Sequence, residues 1–235
     1  MKALMLAAGK GTRISRYLNG KPKCTVDIGN GMHLIRYTVD MLRKKGIEDI
    51  AVVTGYQHQV ITALLSDCNV KFYHTPFFDV TNSIASAWFA KEFFADDDLL
   101  IMNADVFCEE SLYDEILGIE VNPVMIYDST RIEEADYKFF CPEGKIIKYG
   151  KELSKEETTG EYVGIAILKK DFLPRFVQRL EEMIDRQEHG VWWENVLYSM
   201  SAEEPIYAYD IMPKFWAEVD YIEDYQRIQK FVKKF

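Results

Sequence analysis

The sequence predicts an α/β fold, a mixed and mainly parallel sheet with helices on both faces, extended by a small antiparallel part. Three observations predict it. Short apolar runs alternate with amphipathic helical periods through the first half of the chain. The links between them are short, which in such alternation gives parallel strands joined by crossover helices. The second half turns instead to consecutive strand patterns, the mark of antiparallel neighbours.

Residues 3–7 are a short apolar run followed by glycine, a buried strand that ends in a loop. Residues 33–45 place Leu34, Tyr37, Thr38, Met41 and Leu42 on one side of a helix, with Gly46 where a C-terminal cap belongs. A second buried strand, 49–54, is again closed by a glycine at 55. Residues 57–66 read as a helix and 70–74 as a strand. Residues 83–94 read as a helix, with apolar positions at 84, 87, 88, 93 and 94, and 98–103 as a strongly apolar strand. Ligands of sheets wound this way bind beyond the carboxyl ends of the strands.

Residues 124–128, 137–141, 145–149 and 161–168 read as the later strands, with Glu143-Gly144 as a hairpin turn. Residues 151–160 are charged and polar without an apolar period, so they read as an exposed loop. Helices follow at 172–188 and 191–200, then a strand at 215–219 and a closing amphipathic helix at 221–235. No repeat, low-complexity tract or long linker divides the chain, which predicts one domain over residues 1–235.

With 235 residues the chain is long enough for one such core. Its net charge of −10 argues against nonspecific nucleic-acid binding, which requires many phosphates to be neutralised. The cysteines at 24, 68, 108 and 141 form no C-x-x-C pair and have no histidine at zinc spacing, so buried reduced thiols are expected. No apolar stretch approaches a membrane span, and the N-terminus runs straight into a strand. A cytoplasmic protein with no membrane partner is the expectation.

The functional signal is concentrated in residues 4–24. Gly9 and Gly11 let the backbone bend and present its N–H groups, with no side chain to block an approaching phosphate. Lys10, Arg13, Lys21 and Lys23 surround the bend with positive charge, which suits a polyphosphate. The spacing excludes two common phosphate binders. The position three after Gly11 is Ile14, so the dinucleotide pattern G-x-G-x-x-G is absent, and so is G-x-x-x-x-G-K-[S/T].

What remains is A-A-G-x-G-[T/S]-R-x(8)-P-K, running from Ala7 through Gly9, Gly11, Thr12 and Arg13 to Pro22 and Lys23. It resembles the signature of the nucleotidyltransferases that join a nucleoside triphosphate to a phosphorylated sugar or alcohol. The resemblance continues through TGY at 54–56, TNSIASAW, NADVF, DYKFFCPEGKIIKYGKEL, EYVGIAIL, WWENVL and AEVDYIEDYQRI. It is nearest to the small cytidylyltransferases acting on phosphocholine or related phospho-alcohols and phosphonates. The chain departs from that pattern at ISRYLNGK, where an apolar and proline segment is usual, and at Cys24, where alanine is common.

The resemblance implies a Rossmann-like nucleotidyltransferase fold in which residues 1–120 bind the nucleotide and 121–235 the acceptor. It implies Mg2+ as cofactor, and CTP or another NTP and a small phosphorylated acceptor as partners; a homodimer is the form of self-association left open. Asp105 follows the strand 98–103 directly and so projects from its carboxyl edge. Asp220 lies between a strand and a helix, where a helix cap is the alternative. In the family, aspartates in these two places hold the metal. Arg13 would grip the β- and γ-phosphates with its planar fork, and Lys23 would bring a compact charge to the transferring phosphorus. Lys10 and Lys21 read as solvated surface before any such role.

For the base, the candidates are the backbone of Ala8 and Gly9 at the head of the loop completed by Gly11 and Thr12, and the side chain of Asn82, for which a helix cap is the alternative. Tyr56 either lines the base pocket or packs. For the acceptor, Trp192, Trp193 and Glu194 offer aromatic faces and an acid for an amine or quaternary ammonium, unless the tryptophans fill core. A zwitterionic amino-acid phosphate would suit the same mixture. Glu161 and Lys138 are further acceptor-side candidates, and Lys138 otherwise reads as an exposed strand residue. Two competing functions remain: a sugar- or inositol-phosphate nucleotidyltransferase with another base, and a catalytically silent nucleotide-binding regulator. The intact Arg13, Lys23, Asp105 and Asp220 disfavour the second.

Overall fold

The computed structural model describes residues 1–234, so the last residue of the predicted closing helix, Phe235, lies outside the described residues. In chain order the elements are β1 (Lys2–Ala7), a small hairpin of β2 (Asp27–Gly29) and β3 (Met32–His33), α1 (Leu34–Lys44), β4 (Ile50–Thr54), α2 (His58–Leu64), β5 (Lys71–His74), α3 (Ser83–Phe89), β6 (Leu99–Asn103), β7 (Val106–Cys108) and α4 (Glu110–Ile116). The second half contains β8 (Val124–Asp128), β9 (Lys138–Phe140), β10 (Lys148–Gly150), β11 (Gly160–Leu168), α5 (Leu173–Asp185), α6 (Asn195–Met200), β12 (Tyr207–Asp210), β13 (Trp216–Glu218) and α7 (Ile222–Val232).

The expected α/β class is what the chain adopts. Strands β6, β1, β4 and β5 lie parallel in that order, and β11 pairs antiparallel with β6. On its other edge β11 pairs antiparallel with β8, which carries β12 parallel beyond it. The hairpin of β9 and β10 joins the start of β11. The antiparallel strands thus continue the parallel ones in a single sheet.

Alternation along β1 explains why helices cover both faces. Leu4 and Leu6 point into a cluster with Ile84 and Ala87 of α3, Phe176 and Leu180 of α5, and Val196 and Leu197 of α6. Ala3, Met5 and Ala7 point the other way, onto Ile35, Val39 and Leu42 of α1, Ile61 of α2 and Leu112, Tyr113 and Ile116 of α4. A third cluster packs Ile14, Val26, Ile28, Leu34 and Phe107 with Ala217, Val219 and Ile228, tying α7 back to the N-terminal loop. The four cysteines are free and buried.

Helix α1 ends as its sequence predicts. Gly46 has φ +84°, and the N–H groups of Gly46 and Ile47 donate to Arg43 and Leu42 at 2.9 and 3.0 Å, the double bond of a glycine-terminated helix. Other boundaries move. The helix predicted at 83–94 ends at Phe89 and is followed by a short 3-10 turn at Lys91–Phe93. The helix predicted from 191 begins at Asn195, because Trp192 and Trp193 lie in the turn before it. The strand predicted at 145–149 shifts to 148–150, since Glu143 and Gly144 both adopt positive φ and Lys145 bridges to Tyr207 instead. Strands β2, β3, β7 and β12 and helix α4 are additions to the sequence reading. Among the described residues, no helix is long and apolar enough to cross a membrane.

Candidate active site

A cavity of about 490 Å³ opens at the carboxyl ends of β1 and β6 and runs along the start of β11. A volume of that order accommodates a nucleotide-sized ligand. Ala8, Gly9, Gly11, Thr12, Arg13, Lys23 and Asn82 line one end. Asp136, Tyr137, Lys151, Glu161, Trp192 and Glu194 line the other, and Asp105, Glu218 and Asp220 also face the cavity.

The loop after β1 is shaped by its glycines. Gly11 has φ +61°, and a Cβ there would lie 2.3 Å from Cγ of Lys23, so glycine leaves the channel through which the lysine reaches the site. A Cβ on Gly9 would meet nothing within 4 Å, so its backbone is bare toward the cavity. Ile14 is fully buried beside Phe107 and Val219. That anchor leaves its neighbour Arg13 half-exposed, reaching the carboxylates across the cavity.

Asp105 lies in the tight turn between β6 and β7. Strand β13 pairs antiparallel with β7, placing Glu218 opposite Val106, and Val219 then donates its N–H to the carbonyl of Asp105 at 3.0 Å. Trp216 and Glu218 share one face of β13 and Ala217 the other. The tryptophan packs in the core and the glutamate emerges in the cavity. Carboxylate oxygens of Asp105, Glu218 and Asp220 come within 4.8 Å of one another. Sequence alone does not single out Glu218, although it stands in the same AEVD segment as Asp220.

Asp220 is not the helix cap that was its alternative. Helix α7 starts at Ile222 with Tyr221 as its cap residue, and the Tyr221 N–H donates to Asp224 at 3.0 Å. Asp220 instead takes two cations, pairing with the Lys23 ammonium and with the Arg13 guanidinium. Lys23 Nζ also lies 3.4 Å from Oδ2 of Asp105, and Arg13 reaches Asp136 at 3.6 Å.

The electrostatics are those of an acid cluster short of positive charge. Burial raises the Asp105 carboxyl; Lys23 opposes that rise, and repulsion from Asp220 adds to it. Glu218 is pushed well above the ordinary carboxylate range by burial and then by repulsion from Asp105 and Asp220. Burial works against the Lys23 ammonium, but attraction to Asp105 and Asp220 outweighs it and raises its pKa. Three converging carboxylates form an all-oxygen donor set that fits a hard divalent cation such as magnesium, whose charge would relieve this repulsion.

At the far end Glu194 is buried, and desolvation raises its carboxyl to about 7. Trp192 is 38% exposed, stands edge-on to Tyr137 and carries the Lys151 ammonium 5.6 Å from its ring centroid. Glu161 borders the cavity, but its carboxylate is held by Arg131 and by the Asp136 N–H at 2.7 Å, so it fixes the loop bearing Asp136 and Tyr137.

Three expected site residues lie away from the cavity wall. Trp193 is 0% exposed in the core, and its indole N–H donates to Asn103 at 3.3 Å. Lys138 donates to the carbonyl of Leu153 at 3.0 Å and so secures the 151–159 segment. Tyr56 packs and donates its hydroxyl to the carbonyl of Gly20 at 2.9 Å. Asn82 keeps both its readings, since it accepts the Ser83 N–H at the head of α3 and borders the cavity. Lys10 lies over the Phe78 ring, and Lys21 is exposed.

Comparison with known proteins gives a concordant picture. Residues 3–128 match the family described as the MobA-like NTP transferase domain. The chain is 25% identical to the CTP:phosphoglutamine cytidylyltransferase of Campylobacter jejuni, over 95% of this chain and 97% of that one. It is 23% identical to the choline-phosphate cytidylyltransferase of Streptococcus pneumoniae, over 99% of both. Among solved structures, the CTP:phosphocholine cytidylyltransferase from S. pneumoniae superposes with a TM-score of 0.80 at 19% identity, covering 98% of each chain, which is a likeness of fold.

Proposed function

The chain belongs to the family of MobA-like NTP transferase domains, and from that premise we propose that it transfers a cytidylyl group from CTP to a small phosphorylated alcohol or phosphonate bearing an amine, as phosphocholine does. The observation that supports this most is the meeting of Lys23 with Asp105 and Asp220 in one cavity beside a glycine loop. The two relatives that match nearly the whole chain are named for phosphoglutamine and choline phosphate.

In this reading residues 1–120 hold the nucleotide and 121–235 the acceptor. A phosphate or phosphonate oxygen of the acceptor attacks the α-phosphorus of CTP in line. One P–O bond forms, the bond to the β-phosphate breaks, and pyrophosphate leaves with the electron pair. Two anions must approach each other, so screening their charge is the main task of the site. Asp105 and Asp220, with Glu218 beside them, would hold a magnesium ion that supplies positive charge to the phosphate oxygens. Lys23 places its ammonium by the transferring phosphorus, and Arg13 holds the β- and γ-phosphates of the leaving group. The backbone of Ala8 and Gly9 and the side chain of Asn82 meet the base.

The acceptor's amine is received by the Trp192 face and the acids Glu194 and Asp136. Trp193 and Lys138 play no direct part, and Glu161 acts by holding the Asp136 loop. Pyrophosphate release tests the whole reading, with each NTP scanned against phosphocholine, aminoethylphosphonate, inositol phosphate and hexose phosphates. Release with CTP and an amine-bearing acceptor is expected. A preference for a hexose or inositol phosphate would move the protein to another branch, and no release with any pair would leave it a nucleotide-binding regulator.

A further inference from the structure

Residues 55–57 stand against the loop that carries Arg13 without lining the cavity, and their hydrogen bonds go to its two ends. The Tyr56 N–H donates to the carbonyl of Ala8 at 3.0 Å, where the loop begins. The Tyr56 hydroxyl and the Gln57 side-chain amide both donate to the carbonyl of Gly20, each at 2.9 Å, where it ends. The same amide donates to the Tyr56 hydroxyl at 3.0 Å, which closes the group.

Two further features set this arrangement apart from an ordinary loop contact. Gln57 has φ +46°, a left-handed backbone that costs a non-glycine residue free energy and persists only where its surroundings hold it. Gln57 also precedes α2, where a side chain would normally cap the helix, yet it makes no cap bond and sends its amide to Gly20 instead. The approach is close as well, since a Cβ on Gly55 would lie 2.8 Å from the Ala8 carbonyl oxygen and from Cβ of Phe78.

We propose that Tyr56 and Gln57 are positioning residues that clamp the phosphate loop and so set where Arg13 meets the triphosphate. This rests on the nucleotidyltransferase reading. β1 fixes the Ala8 end of the loop, and Ile14 anchors its middle in the core. Release of the Gly20 carbonyl would loosen the stretch from Ile14 to Lys23, which adjoins Arg13 at one end and carries Lys23 at the other. A guanidinium gains most from a polyphosphate when its fork is already oriented.

Two variants test the clamp. Gln57→Gly removes the amide and relieves the positive φ, so its melting temperature is expected to stay level or rise. Tyr56→Phe removes the hydroxyl and keeps the ring. In both, backbone amides of residues 10–20 should exchange hydrogen faster than in the wild type, measured without nucleotide. For each, kcat/KM for CTP should fall about tenfold while KM for the acceptor stays unchanged. Unchanged loop exchange would overturn the proposal. So would faster exchange with unaltered nucleotide kinetics, or an equal loss toward acceptor and nucleotide. If the wild type turns over no nucleotide at all, the nucleotidyltransferase reading fails, and the exchange comparison still decides whether the loop is clamped.

Discussion

Val219 donates its backbone N–H to the carbonyl of Asp105 at 3.0 Å, and that bond extends the pairing of β13 with β7 to the rim of the cavity. Its neighbours Glu218 and Asp220 are thereby brought to within 4.8 Å of Asp105, although more than a hundred residues separate them in sequence. Main-chain pairing, with no loop of its own to order, sets the spacing of the acids. Lys23 then threads past Gly11 into the group they form.

Asp105→Asn and Lys23→Ala are each expected to slow turnover on the order of a hundredfold, the usual size of such electrostatic contributions. Circular dichroism should stay native. The melting temperature of Asp105→Asn should not fall, because burial already disfavours its charge and repulsion from Asp220 adds to that. Near-wild-type rates would remove these residues from the mechanism.

Magnesium is expected to raise the melting temperature of the wild type, since an ion that binds the folded state alone stabilises it by mass action. Chelation should abolish turnover. Asp220→Asn should cancel the thermal shift, leaving its two cations facing a neutral amide. An undiminished shift in that variant would place the ion elsewhere.

The adjacent tryptophans should separate cleanly. Trp193→Ala empties a fully buried site and should cost about 3–5 kcal/mol of stability. Trp192→Ala, on the cavity wall, should leave stability nearly unchanged and raise KM for an amine-bearing acceptor several-fold, as loss of a cation-π contact implies. Urea unfolding and acceptor titrations measure the two effects.

Glu194 gives a pH signature. Its folded carboxyl titrates at about 7, above the ordinary 4.5, so the folded state holds its proton more tightly than the unfolded chain does. The resulting stability is complete below the unfolded pKa and is lost as pH rises through the folded one, by about 3 kcal/mol in all. Glu194→Gln should flatten this slope between those two values and be more stable than the wild type at pH 8. Parallel urea midpoints for the two proteins would contradict the assignment.

Much of the site was legible because it is local. The glycine loop and Asp105 each sit just after the end of a strand, and Arg13 and Lys23 follow the glycines within the same N-terminal segment, so sequence order and spatial order agree. The placing of Glu218 was not legible, since the face it presents depends on pairing between β13 and β7, and a three-residue strand carries too little alternation to reveal it. Tyr56 and Lys138 were misplaced for a related reason. Both are polar-tipped residues at or near strand ends, and their direction is decided by carbonyls of other loops, Gly20 and Leu153. The apolar pattern of the WWEN segment suits a helix, yet Trp193 is held in the core, with its N–H donating to Ser83 and its indole to Asn103.

The most direct measurement is a crystal structure of the protein soaked with CTP and magnesium. The expected result is an ion bound by oxygens of Asp105 and Asp220, with the triphosphate lying along the glycine loop within reach of Arg13 and Lys23. A triphosphate bound elsewhere, or an ion that touches neither aspartate, would contradict it.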